Sequence, residues 1–349
     1  MGSVSRFSAV NAKVRVLKGR MVNEKQISEL LKCRSYKEGL YYLADNTVYG
    51  QALKHYHIED IHRGQLENIL KKEYVKVFDK FIHYFTGDYN ELIKIFFIRF
   101  EADDIKVIIR NKFIKNFQTD IETLAVYGSP LSTVDYDKLI KADSIEKVIN
   151  ELKDTVYFKY ISNLSTEIYK EGFFIMETAL DSVFFLYLKK FINKLAIEDR
   201  EILKRINGIN IDMINLQWIF RAKRSYELTP EVILARCINE GYKLRKDKLK
   251  DLSYAKSIDE FYTLVETTYY RSIFLESKNK EYLLEREILS YLKKLFLKYK
   301  REYKTNISVL VSYFELSYME MRDIISIIEN IRYNNESEEA KKYLTSGSR

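Results

Sequence analysis

The chain states nearly the same phrase three times. Asn46-Thr47-Val48-Tyr49 returns as Asp154-Thr155-Val156-Tyr157 and again as Glu266-Thr267-Thr268-Tyr269. The tyrosines lie 108 residues apart from 49 to 157 and 112 apart from 157 to 269. Further matches follow each copy in the same order. Leu66-Glu67, Met176-Glu177 and Leu284-Glu285 each open an apolar helical run, and Asp104-Ile105, Asn215-Leu216 and Glu320-Met321 come later. The steps from 67 to 105, 177 to 216 and 285 to 321 are 38, 39 and 36 residues. A ruler kept through three copies means three versions of one folding unit, and it predicts a pseudo-threefold object.

The units are helical. In the first copy Leu66, Leu70, Tyr74, Val77, Phe78 and Phe81 recur at steps of three and four, which is one face of an α-helix. Leu180, Phe184, Leu188 and Phe191 do the same in the second, and Leu284, Ile288, Leu292, Leu295 and Phe296 in the third. With 11 Gly and 2 Pro in 349 residues there is little turn chemistry for a large β structure, so the fold class is all-α. Ser129-Pro130 and Thr229-Pro230-Glu231 contain both prolines. Each offers a hydroxyl at the N-cap and proline at the first helical position, so a helix is expected to start at each. The prolines fall where one copy hands over to the next. The boundaries follow near Tyr127 and Leu228: residues 1–127, 128–228 and 229–335 are the three units, and 336–349 is a polar tail. Its end, Ser346-Gly347-Ser348-Arg349, reads as unstructured.

Cys33 and Cys237 each sit inside an apolar helical pattern and read as reduced, buried thiols. Met1 to Val14 lacks the apolar core of a signal peptide. The most apolar stretch, Phe173 to Leu188, carries Glu177 and Asp181 and reads as a buried helix rather than a membrane span. The 58 basic and 50 acidic residues leave a net charge of +8. That suits a soluble surface, a nucleic-acid ligand or an anionic membrane surface. The densest basic stretch, Lys243 to Lys250, reads as a solvated helix end or loop.

Motifs for catalysis are missing. There is no P-loop and no G-x-G-x-x-G. All four histidines, His55, His57, His62 and His83, lie in the first third. If 55–62 were helical, His55, Glu59 and His62 would share a face and could hold a metal; the competing reading is an exposed polar connection. No histidine is paired by spacing with a nucleophile. Glu67, Glu177 and Glu285 recur in all three copies, which suits capping or ion pairing better than acid–base work. No catalytic residue, metal site or cofactor is assigned. The basic helix ends are more informative. Arg110 and Lys112 follow Asp104, and Arg221, Lys223 and Arg224 follow Asn215; Ser326 breaks the pattern in the third copy. These cations either complement helix C-termini or form a shared surface.

These residues resemble one family, the C (also called d) subunits of the archaeal and bacterial V/A-type rotary ATPases. Asn11-Ala12-Lys13-Val14-Arg15-Val16 is similar to its opening segment, and Thr47-Val48-Tyr49-Gly50 to its turn. Glu101-Ala102-Asp103-Asp104-Ile105 through Arg110-Asn111-Lys112 resembles its helix motif, as does Ile211-Asp212-Met213-Ile214-Asn215-Leu216 through Arg221. The likeness spans roughly residues 8 to 335. Asp104 stands where the family has Asn, and the third copy lacks the Arg. The resemblance implies three helical domains in a pseudo-threefold funnel, peripheral to the cytoplasmic face of the membrane. The wide end would sit on the proteolipid ring, and the cavity would accept the foot of a shaft made by two other subunits. The chain would then be a non-catalytic central-stalk rotor subunit passing torque for H⁺ or Na⁺ transport, or for ATP synthesis, within an ATP-hydrolysing complex. It would form no stable homo-oligomer and bind no nucleic acid. Arg110, Lys112, Arg221, Lys223 and Arg224 become candidates for gripping the shaft. The rival from another class is a helical-repeat nucleic-acid-binding protein. Abundant tyrosine and the net charge favour it, and acids interleaved with the bases oppose it.

Overall fold

The computed structural model describes residues 3–115, 120–274, 283–301, 305–333 and 340–345, and every element among them is helical. The residues Ser346 to Arg349, read above as an unstructured end, lie outside this set. The chain begins with α1 (Ser3–Lys18), α2 (Glu24–Leu30), α3 (Tyr36–Asn46), α4 (Gly50–Leu53), α5 (Arg63–Ile82) and the long α6 (Asp88–Phe113). The order then recurs as α7 (Tyr136–Lys141), α8 (Ile145–Glu151), α9 (Phe158–Ile161), α10 (Ile168–Glu171), α11 (Phe174–Phe191) and the long α12 (Ile197–Ser225). It recurs again as α13 (Pro230–Arg236), α14 (Lys246–Tyr254), α15 (Ile258–Glu266), α16 (Leu284–Arg301) and the long α17 (Ile307–Arg332).

Local chemistry sets the same starts and stops in each copy. Ser35, Ser144 and Ser257 occupy the N-caps of α3, α8 and α15, and each side chain accepts the amide of the third helical residue. This satisfies one of the orphan donors that a helix N-terminus leaves. At the far end a threonine closes the turn. Thr47 and Thr155 donate back to the carbonyls of Leu43 and Leu152, both at 2.6 Å, and accept Tyr49 N and Tyr157 N, both at 3.3 Å.

The third copy of that turn is one residue later than the letters suggest. Thr268 donates to Val265 O at 2.7 Å and accepts Tyr270 N at 3.1 Å. The equivalent pair is therefore Thr268 and Tyr270, not Thr267 and Tyr269, because Thr267 continues the helical backbone of α15. The Ser129-Pro130 helix start is also corrected. Ser132 N returns to Ser129 O there, and α7 begins at Tyr136 with Asp135 as its cap. Ser132 and Thr133 are instead drawn to the buried Glu101. At the other proline α13 does begin at Pro230, although Thr229 makes no side-chain cap bond.

The residues divide into two compact units, Met1–Phe85 with Asn279–Arg349, and Thr86–Lys278. In the first, α17 is the central helix, packed by α1, α3, α5 and α16. The rings of Phe78 and Phe314 meet at a tilt of 34° with centroids 4.4 Å apart, and Tyr74 donates to Phe314 O at 2.8 Å. Residues 340–345, expected to be part of a polar tail, return to α17. Leu344 is buried and Thr345 N donates to Asp323 Oδ1 at 2.9 Å. In the second unit α11 packs on both α6 and α12, with Phe96 against Phe184 at 5.7 Å. Interiors of this kind are close-packed and transmit strain instead of absorbing it.

One tyrosine-to-acid device recurs on each long helix, buried at Glu101 and Asp212 and half-buried at Glu320. Tyr157 donates its hydroxyl to Glu101 on α6 at 2.6 Å, Tyr270 to Asp212 on α12 at 2.6 Å, and Tyr49 to Glu320 on α17 at 3.1 Å. The same acids accept backbone amides just ahead of α7, α14 and α2: Thr133 N, Lys243 N and Val22 N. Burial, then the neighbouring carboxylate, holds the phenols of Tyr157 and Tyr49 well above their ordinary range. Burial raises Asp212 and Glu320. Three residues on from each acid a second anchor follows. Asp104 accepts Ala125 N and Val126 N, Asn215 accepts Ile238 N, and Asp323 accepts Thr345 N. The structure therefore aligns Asp323, not Glu320, with Asp104 and Asn215. Glu329, not Ser326, then stands at the position of Arg110 and Arg221. Each lead module clasps the long helix of the copy before it, and the first module clasps the last helix.

Candidate partner-binding site

The basic ends of α6 and α12 converge on α11. Arg110 reaches Glu177 Oε1, and Arg221 reaches Glu177 Oε2 at 3.3 Å. Glu177 sits in the first turn of α11 with its side chain 11% exposed, while Arg110 and Arg221 are 54% and 40% exposed. Each guanidinium also lies over an aromatic ring from the start of the same helix. Arg110 Cζ is 4.8 Å from the Phe173 centroid and Arg221 Cζ is 5.6 Å from that of Phe174. Stacking and pairing hold the planar groups, which stay about half exposed. One turn earlier on α6, Lys106 bridges Asp103 at 2.7 Å and Asp181 at 2.6 Å. Burial alone would lower that lysine, but the two carboxylates outweigh it and raise it.

The two lysines of the candidate set are engaged inward. Lys112, 6% exposed, donates to Ile140 O at 2.9 Å in the last turn of α7. Lys223 donates to Ser253 O and Ala255 O, both at 2.6 Å, at the end of α14. Both cap a helix C-terminus where carbonyls lack partners, and burial lowers both ammonium groups. Arg224 is exposed in the last turn of α12. The structure thus brings Arg110 and Arg221 together and sends Lys112 and Lys223 into supporting contacts.

In the third copy the pair is inverted. Glu329, at the arginine position, is paired with Arg63 at the start of α5. Ile331 takes the place of Lys112 and Lys223 and packs near Gly39, where an added Cβ would lie 3.5 Å from its Cδ1. The recurring glutamates all form ion pairs: Glu67 with Lys71 at 2.7 Å, Glu177 with both arginines, and Glu285 with Arg322 at 2.5 Å. Sequence reasoning missed Glu101, Asp212 and Glu320 as the tyrosine partners. Their signal was an acid three residues before Asp104, Asn215 and Asp323.

Other chemistry is dispersed. Residues 55–62 do not form one helix; only Ile58–Asp60 makes a 3-10 turn. His62 caps α5, accepting Gln65 N through Nδ1 at 3.3 Å, and Glu59 is bonded by Lys37 and Tyr41. No group of three His, Cys, Asp or Glu side chains able to hold a metal occurs among the described residues. Nor is any helix among them long and apolar enough to cross a membrane. Both cysteines are free, Cys237 buried and Cys33 half-buried, and burial pushes the Cys237 thiol up to about 12. Lys243 lies in a loop before α14, with its Nζ 4.6 Å from the Tyr242 ring.

Residues 10–343 match the family described as ATP synthase (C/AC39) subunit. Named relatives are the C subunits of A-type ATP synthases. The one from Methanosphaera stadtmanae is 26% identical over 268 residues, covering 76% of this chain and 67% of the relative. The one from Methanocaldococcus jannaschii is 25% identical, covering 97% and 86%. The one from Methanosarcina mazei is 23% identical over 208 residues, and the match spans 56% of its length.

Proposed function

The chain belongs to the ATP synthase (C/AC39) subunit family, and from that premise we propose that it is the central-stalk rotor coupling of a V/A-type ATPase. It makes no chemical step of its own. It joins the two-subunit shaft to the proteolipid ring at the cytoplasmic face of the membrane and passes torque between them. Three copies with boundaries near Tyr127 and Leu228, arranged as a funnel, would receive the shaft.

The observation that carries the reading is the cyclic clasp. Tyr49, Tyr157 and Tyr270 each tie a lead module to the long helix of another copy, and the first is tied to the last. A part that transmits torque must not unwind from its ends, and this linkage leaves neither end module unanchored. Buried phenol-to-carboxylate bonds are charge-assisted when the acid is ionised, and the surrounding aromatic core resists shear. Arg110 and Arg221, with exposed Arg224, are assigned to the shaft interface; Lys112 and Lys223 brace the helices that present them. Charged contacts of this kind set register and encounter rate more than raw affinity.

Size-exclusion co-elution tests this directly. The chain is mixed with the purified shaft pair, then with the detergent-solubilised ring. A stoichiometric complex bridging both is expected. A folded monomer that binds neither removes the proposal, and salt-sensitive nucleic-acid binding would then favour the rival reading.

A further inference from the structure

The third clasp is short of donors where its two sisters are not. Glu101 accepts Thr133 N at 2.6 Å, Tyr157 OH at 2.6 Å, Ser132 Oγ at 2.8 Å and Thr133 Oγ1 at 3.2 Å. Asp212 accepts Lys243 N at 2.6 Å, Tyr270 OH at 2.6 Å and Leu244 N at 3.2 Å. Glu320 accepts Val22 N at 2.8 Å and Tyr49 OH at 3.1 Å, and no third donor among the described residues. Glu101 and Asp212 are buried, whereas Glu320 is half-buried and lines a cavity of about 670 Å³.

That cavity lies inside the unit formed by the two chain ends and is the size of a small-molecule site. Glu73, Tyr49 and Tyr313 share its wall with Glu320. So does Ser317, 8% exposed, with the Tyr313 hydroxyl as its neighbour. Arg20 and Lys80 also line the space, so the lining is not the uniform oxygen cage that a bare divalent cation requires.

We propose that this cavity binds an organic cation, an alkylammonium or guanidinium group, whose N–H groups complete the donor set of Glu320. The sister sites supply the reasoning: each fills the third and later positions around its acid with donors from its own chain. Glu320 has the same acid, phenol and amide, with open space where the other donors stand. Burial pushes Glu320 up to about 8 against the pull of Tyr49, Val22 N and the Lys293 ammonium; a further cation, hydrogen-bonded to it, lowers that value.

The test is calorimetric titration of the full chain with two probes. Agmatine represents a free organic cation. A capped alanine-rich helical peptide with one arginine represents a side chain from a partner protein. Saturable binding of at least one is expected, weakened roughly tenfold or more in Glu320→Gln, the size of one lost charge-assisted hydrogen bond. Val48→Trp, which enlarges a half-exposed residue on the cavity wall, should block the same binding and decides the matter if Glu320→Gln does not fold. Tighter binding of agmatine points to a free amine, and tighter binding of the peptide to a partner's basic side chain. Absence of saturable binding by either probe at millimolar concentration overturns the proposal. So does binding that neither substitution changes.

Discussion

Arg110 and Arg221, which hold equivalent positions in two copies of the repeat, end on opposite oxygens of one carboxylate, that of Glu177. Equivalent residues thus share a partner instead of each having its own. Both arginines are about half exposed, so solvent screens each pair. Removing one arginine should cost only a few tenths of a kcal/mol, since the other still holds the acid. Glu177→Gln should cost about 1 kcal/mol, because it removes both partners from a mostly buried position. A double-mutant cycle on Arg110 and Arg221 in urea should show non-additivity. Strictly additive midpoints would mean that Glu177 does not link them.

Charge reversal at both arginines addresses the proposed interface. Arg110→Glu with Arg221→Glu should weaken binding of the shaft pair by roughly tenfold or more, with the association rate falling most. A neutral pair, Arg110→Gln with Arg221→Gln, should fall between this and wild type. Circular dichroism is the control for the fold, since three carboxylates would then crowd the start of α11. Unchanged affinity in a folded reversal variant would remove these residues from the interface.

The three tyrosines should differ in what their hydroxyls contribute. Tyr157→Phe leaves buried Glu101 with a missing donor, at an expected cost on the order of 1–3 kcal/mol. Tyr270→Phe should behave similarly at Asp212. Tyr49→Phe should cost less, because Glu320 borders a cavity from which water can replace the hydroxyl. Denaturant midpoints rank the three, and equal losses would contradict the open third site.

The sequence displayed the repeat and its helical class but not what the repeated letters touch. The Thr-x-Tyr turns could be read because their bonds are local, within four residues. The tyrosine hydroxyls reach acids 56, 58 and 271 residues away, and no periodicity encodes such pairs. The slip in the third copy has a chemical origin. Thr267-Thr268 and Tyr269-Tyr270 offer two registers, and only the acid spacing on the long helices separates them. With Asp323 as the anchor, the steps from 67 to 104, 177 to 215 and 285 to 323 become 37, 38 and 38 residues. Of the five candidate cations, Lys112 and Lys223 looked like Arg110 and Arg221 because both kinds suit a helix C-terminus. Which ones turn inward depends on α7 and α14, elements that lie elsewhere in the chain.

Gly241 tests how closely the loop before α14 must approach α12. A Cβ there would stand 1.8 Å from Asp212 Oδ1. Only hydrogen fits, since the same loop must deliver the amides of Lys243 and Leu244 to that carboxylate. Gly241→Ala should push the loop outward, break the clasp to Tyr270 and destabilise the protein by about 1–3 kcal/mol or more. Gly87→Ala serves as a contrast: no atom lies within 4 Å of its Cβ position, and only the positive φ of 57° opposes the change. Thermal melts of the two should show the larger loss at Gly241.

The pH dependence of stability should expose Glu320. Its ordinary value is 4.5, and burial raises it to about 8 in the folded chain. Between those limits the folded state holds a proton that the unfolded state has released. Stability therefore falls as pH rises through this window and levels off above it. Tyr49, Val22 N and the Lys293 ammonium pull the other way by favouring the ionised form, but burial, helped by the nearby Asp323, outweighs them. Asp212 and Asp323 are raised by burial too, and their contributions persist when Glu320 is replaced. Melting temperatures of wild type and Glu320→Gln are compared from about pH 5 to pH 9. The wild-type curve should decline more steeply, so that the difference shifts in favour of the variant towards the alkaline end. A constant offset across the range would show that Glu320 is already ionised at the acid end and that its burial does not govern its charge.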